Sequence, residues 1–142
     1  MPVVAKWNSG FEFQVDVAQG ETLIMNSVPA EQRPGSGPSP MDTVEGAVAA
    51  CTGMDLVLIL RKMRKTIDSL RVEVIPTRRK EHPRVFTHLE LVYHVEGPDL
   101  DEASVARAVH LSQDQYCSVA AMLRPNVEMT YRIVLNGERV AA

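Results

Sequence analysis

The sequence predicts an α+β fold in which antiparallel sheets pack around one long central helix. Period-two alternation of apolar and polar residues marks short strands near both ends and in the middle of the chain. One long apolar stretch opens with strong helix-start signals. The resulting order (strands, long helix, strands, helices, strand) suits helices on one face of antiparallel sheets. At 142 residues, with no repeat and no linker, the chain reads as a single domain spanning 1–142. A chain this long buries about two-thirds of its unfolded surface.

Residues 1–28 read as a β-meander. Phe11-Glu12-Phe13-Gln14-Val15-Asp16-Val17 alternates strictly, with shorter candidates at Val3 to Trp7 and Thr22 to Met25. Asn8-Ser9-Gly10 and Ala18-Gln19-Gly20 separate them as turns. Five prolines and glycines between 29 and 38 make the next stretch a loop. A central helix is predicted over 39–65: Ser39 as N-cap, Pro40 at the first helical position, Asp42 as the acid of a capping box, and Arg61, Lys62, Arg64 and Lys65 at the C-terminal end. Gly46, Ala50 and Gly53 fall on one stripe, which suits close approach of another backbone. Strands are predicted within 69–96, at Leu70 to Val74 and Val85 to Val95. Helices follow within 100–124, capped by Asp99 or Asp101, and a last strand within 127–136 ends at Asn136-Gly137.

Hydrophobic residues make up 45% of the chain but aromatic ones only 5%, so the core must rest on aliphatic side chains and methionine. A net charge of −3 gives no broad electrostatic reason to bind nucleic acid. The basic clusters at Arg61 to Lys65 and at Arg78, Arg79 and Lys80 read as a helix end and a solvated turn. The first 20 residues lack a secretory pattern, and no stretch reads as a membrane span. A cytoplasmic protein without membrane or nucleic-acid partners is expected, and in that compartment a disulfide would be transient.

Chemistry centres on two cysteines, Cys51 in the central helix and Cys117 in the later helical region, 66 residues apart. That spacing is too wide for a local metal knuckle. Either they form a thiol pair or they are unrelated core residues; the spacing leaves both open. A thiol reacts as its thiolate. Cys51 lies too far into the helix for the N-terminal dipole to ionise it. It needs a cation, for which Arg33 in the preceding loop is the candidate; Asp55, one turn on, works against ionisation. His82, His88, His94 and His110 form no ligand motif, so no metal and no cofactor is expected.

The segments Gly37-Pro38-Ser39-Pro40-Met41-Asp42 and Ala49-Ala50-Cys51-Thr52-Gly53-Met54-Asp55 resemble the central-helix signature of the OsmC/Ohr family. Cys117-Ser118-Val119, followed by a strand beyond Pro125-Asn126, is similar to that family's second cysteine region. The order of elements agrees along nearly the whole chain. The resemblance implies an intertwined homodimer and a thiol-dependent peroxidase that uses neither metal nor haem. It implies that Cys51 attacks an organic hydroperoxide and becomes a sulfenic acid. Cys117 then closes a disulfide with it, and an external dithiol reductant reopens the bond. Where better-known members carry a glutamate that pairs with the activating arginine, this chain has Met41, and Asp42 is the nearest acid. Catalytic roles are therefore expected for Cys51, Cys117, Arg33 and Asp42, with an apolar substrate pocket at the interface lined by Met41, Met54, Tyr116 and Met122. Two alternatives stand beside this reading. One is a non-catalytic protein of the same fold that binds an apolar small molecule at the dimer interface. The other is a partner-binding protein that uses its basic clusters.

Overall fold

The computed structural model describes residues 2–32 and 37–140. The chain forms two compact units, Met1–Val44 and Glu45–Ala142.

In the first unit, β1 (Val4–Ser9), β2 (Glu12–Asp16) and β3 (Thr22–Asn26) form the expected antiparallel meander, with Trp7 opposite Phe13 and Phe13 opposite Met25. Gly10 and Gly20 close its turns with positive φ. Trp7, Phe11, Phe13 and Leu23 remain exposed. Gly37, with φ +87°, leads toward the helix start; a Cβ there would overlap the Ile24 carbonyl oxygen. The predicted capping box forms at that start: the Asp42 amide donates to Ser39 Oγ at 3.1 Å, and the Ser39 amide donates to Asp42 Oδ2 at 3.0 Å.

The central helix α1 (Pro40–Lys62) ends earlier than predicted. Arg64 adopts φ 62°, its amide donates to Arg61, and the Lys65 amide donates back to Leu60. This is a Schellman ending built on arginine, so no glycine announced it in the sequence. Within the second unit, α1 buries one stripe, Val48, Thr52, Leu56 and Leu60, at intervals of one turn. The helix is long and apolar enough by composition to cross a membrane, which corrects the sequence reading that no stretch qualified. Its buried stripe is that of a core helix, and Thr52 bonds to a strand.

The sheet of the second unit has the order β4 (Ser69–Arg78), β5 (Phe86–Glu96), β6 (Glu128–Leu135), β7 (Glu138–Val140). β5 is its core strand, with Leu89, Leu91, Val92, Tyr93 and Val95 all fully buried. It pairs antiparallel with β4 but parallel with β6, so the sheet is mixed and not purely antiparallel. A parallel neighbour requires a crossover. Here it consists of α2 (Glu102–Leu111), a π-turn (Ser112–Tyr116) and α3 (Ser118–Leu123). Asp101, not Asp99, caps α2: its carboxylate accepts from the amide and hydroxyl of Ser104. Those bonds, the hydroxyl's foremost, hold its pKa down at about 2. Asn136-Gly137, both at positive φ, continues past β6 into the short β7 as a two-residue hairpin.

Candidate functional site

Cys51 is half-buried on α1 and Cys117 is 2% exposed at the N-cap of α3; both are reduced. The Cys51 thiol lies near enough to Cys117 to act on its ionisation. The Cys117 sulfur also accepts from the Ala120 amide at 3.4 Å. Burial above all, opposed by the Ala120 amide bond and aided by the Cys51 thiol and the Asp55 carboxylate, pushes the Cys117 thiol up to about 11. Cys117 is thus held as a protonated thiol at neutral pH.

The π-turn places Cys117. The Cys117 amide reaches back five residues to the Ser112 carbonyl at 2.8 Å, a widened turn of the kind that often marks functional sites. The Ser112 hydroxyl donates to Asp55 Oδ2 at 2.8 Å and lies 2.7 Å from Thr52 Oγ1. Thr52 Oγ1 lies 2.8 Å from the Tyr93 hydroxyl, which accepts from Gln113 Nε2 at 2.6 Å. The Arg124 guanidinium donates to both the main-chain and side-chain oxygens of Gln113. Burial drives the Tyr93 phenol up to about 12. Sequence reasoning singled out Asp55 but missed Thr52, Tyr93, Ser112, Gln113 and Arg124. The one available signal was Tyr93 on the apolar face of a strand, where its hydroxyl needs a partner.

Beside the thiols, a cleft of about 490 Å³ is lined by Asp55, Leu58, Ile59, Lys62, Met63, Arg107, Leu111 and Tyr116. Of the expected lining residues, Tyr116 belongs to it. Met54 lies instead in a shallow trough with Gly46, Ala49, Ala50 and Gly53. Met122 is 74% exposed, and Met41 is half-buried in the first unit. Asp42 serves the capping box. Arg33 lies outside the described residues. Among the described residues, no cluster of three metal-ligating side chains occurs.

The model of the OsmC-like protein family matches residues 33–132. Protein YhfA of Escherichia coli K12 is 40% identical over 131 residues, covering 92% of this chain and 95% of that protein. The crystal structure of a hypothetical protein from Aquifex aeolicus VF5 superposes with TM-score 0.79 at 25% identity, covering 94% of this chain and 96% of that one. The organic hydroperoxide resistance protein OhrB of Bacillus subtilis shares the fold, with TM-score 0.62 at 18% identity over 94% of this chain and 98% of its own.

Proposed function

We propose that this chain, which belongs to the OsmC-like protein family, is a thiol-dependent peroxidase that reduces organic hydroperoxides. The observation that supports the reading is that Cys117, at a buried and hydrogen-bonded turn, lies near enough to the sequence-distant Cys51 for that thiol to raise its pKa. The more accessible Cys51 is the attacking residue. Its thiolate takes the terminal oxygen of the hydroperoxide, breaking the O–O bond and leaving a sulfenic acid, while the alkoxide takes a proton and departs as alcohol. Cys117 then attacks the sulfenic sulfur. The S–S bond forms, and the thiol proton leaves with the hydroxyl as water. An external dithiol reduces the disulfide to two thiols and is itself oxidised. The high Cys117 pKa suits a resolving residue, which stays protonated until its partner is oxidised.

The cleft suits an organic substrate: Leu58, Ile59, Met63 and Leu111 offer apolar walls, and Lys62 and Arg107 offer cations. α1 supports a homodimer. Outside its buried stripe it exposes Met54 and Leu58, and the trough along Gly46, Ala50 and Gly53 suits the backbone of a second helix. The test is turnover of cumene hydroperoxide with dithiothreitol. Wild type should consume peroxide catalytically and Cys51→Ser should not; equal rates reject the mechanism. Arg33→Ala and Asp42→Asn in the same assay test the charged residues expected from the sequence.

A second reading rests on the cleft, whose lining contains neither cysteine. A non-catalytic protein would hold an apolar small molecule there. Native mass spectrometry showing a stoichiometric co-purified ligand, together with no turnover by wild type, would favour it.

A further inference from the structure

Six polar side chains next to the cysteines make one continuous run, and its ends fix its direction. An arginine only donates and a carboxylate only accepts. Ser112 gives its single proton to Asp55, so it must accept from Thr52. Thr52 has then spent its proton and accepts from Tyr93. Tyr93 in turn accepts from Gln113 Nε2, and Gln113 Oε1 accepts from Arg124 at 3.1 Å. No hydroxyl can reverse without setting donor against donor. A run ordered from end to end holds its members more firmly than separate bonds would.

The run encloses the Cys117 segment. Ser112 and Gln113 open the π-turn, and the Ser112 carbonyl takes the Cys117 amide. Arg124 ends α3, the helix that Cys117 caps, and returns to the main-chain oxygen of Gln113 at 2.6 Å. Thr52 follows Cys51 directly on α1. The elements bearing the two sulfurs are therefore tied to each other through Thr52–Ser112, and both to β5 through Tyr93.

We propose that Tyr93 and Gln113 are positioning residues that hold the Cys117 sulfur against that of Cys51 and so set how readily the pair closes into a disulfide. The inference rests on reading the cysteines as a thiol pair, and it holds whatever oxidant acts on them. In this role Tyr93 acts through its bonds to Thr52 and Gln113.

The test needs no peroxide. Full-length reduced protein is equilibrated with glutathione and its disulfide, quenched in acid and scored for the Cys51–Cys117 bond by alkylation and mass spectrometry. In this exchange one glutathione disulfide oxidises the two thiols and leaves as two glutathiones. Tyr93→Phe deletes one hydroxyl, removing the donor to Thr52 Oγ1 and the acceptor of Gln113 Nε2, so the equilibrium constant should fall about tenfold. Tyr131→Phe deletes the hydroxyl that bonds the exposed His110 and should stay within about twofold of wild type. In a Cys117→Ser background, formation of the Cys51–glutathione mixed disulfide should not respond to Tyr93→Phe, which a general loss of structure would disturb. Gln113→Met serves as a second variant should Tyr93→Phe fail to fold. An unchanged equilibrium constant in the folded variants, or no Cys51–Cys117 disulfide in wild type, overturns the proposal. A protein that closes the bond here yet turns over no hydroperoxide loses the peroxidase reading and keeps this one.

Discussion

Thr52 and Ser112 share a buried hydrogen bond of 2.7 Å across 60 residues of sequence. It joins the middle of α1 to the turn that presents Cys117. Two hydroxyls buried without partners would each cost about 1–3 kcal/mol. Paired with each other, with Tyr93 and with Asp55, they instead fix where the crossover sits on the helix.

If Cys117 resolves the oxidised Cys51, its removal should stop the cycle after one oxidation. Cys117→Ser, treated with one equivalent of cumene hydroperoxide, should carry a dimedone adduct on Cys51 by mass spectrometry. Wild type should form the internal disulfide and take up little of the reagent. An adduct of equal yield in both proteins would remove Cys117 from the mechanism.

The pH dependence of stability follows from the same thiol. In the unfolded chain it ionises near the ordinary cysteine value, whereas the fold holds its proton up to about 11. Above the ordinary value the unfolded state binds fewer protons, so stability falls with pH. The contribution is complete below the unfolded value and is lost as pH rises through the folded one. Urea midpoints measured across that alkaline window should fall more steeply for wild type than for Cys117→Ser.

Leu56 and Leu60 are fully buried on the α1 stripe. Truncating either to alanine should cost roughly 2–5 kcal/mol, read as a lower urea midpoint at unchanged slope. The exposed Met54 on the same helix should tolerate alanine in a single chain, and a large loss there would mean that another surface covers it.

Leu58 is 54% exposed yet belongs to the apolar surface of α1. In the proposed homodimer, Leu58→Glu should shift the protein toward monomer in sedimentation velocity, whereas Glu138→Lys on the exposed end of the sheet should not. A wild type that sediments as a monomer at micromolar concentration would reject the assembly.

Much of the fold was legible because its signals are local. The capping box around Ser39 and Asp42 and the alternation through β2, β5 and β6 belong to contiguous residues. The parallel pairing of β5 with β6 was not legible, since alternation reports a strand's faces but not its neighbour's direction. The end of α1 was hidden by an arginine standing where glycine is usual. Asn136-Gly137 carried a readable hairpin signal, but the strand that follows it runs for three residues among the described ones. At the site, both cysteines were visible, whereas the hydroxyl run could not be read from sequence. Its members lie on α1, β5 and the π-turn and become one unit only when the crossover closes.

The parallel alignment of β5 and β6 has a mechanical consequence. The chain leaves one strand at its far end and must come back to the near end of its neighbour, and Cys117 rides on the returning span. Both feet of that span are anchored in adjacent rows of one sheet, so its sulfur is carried by a braced arch and not by a swinging flap. In the proposed cycle, a disulfide at this thiol closes within that fixed frame, and reopening leaves the arch where it was.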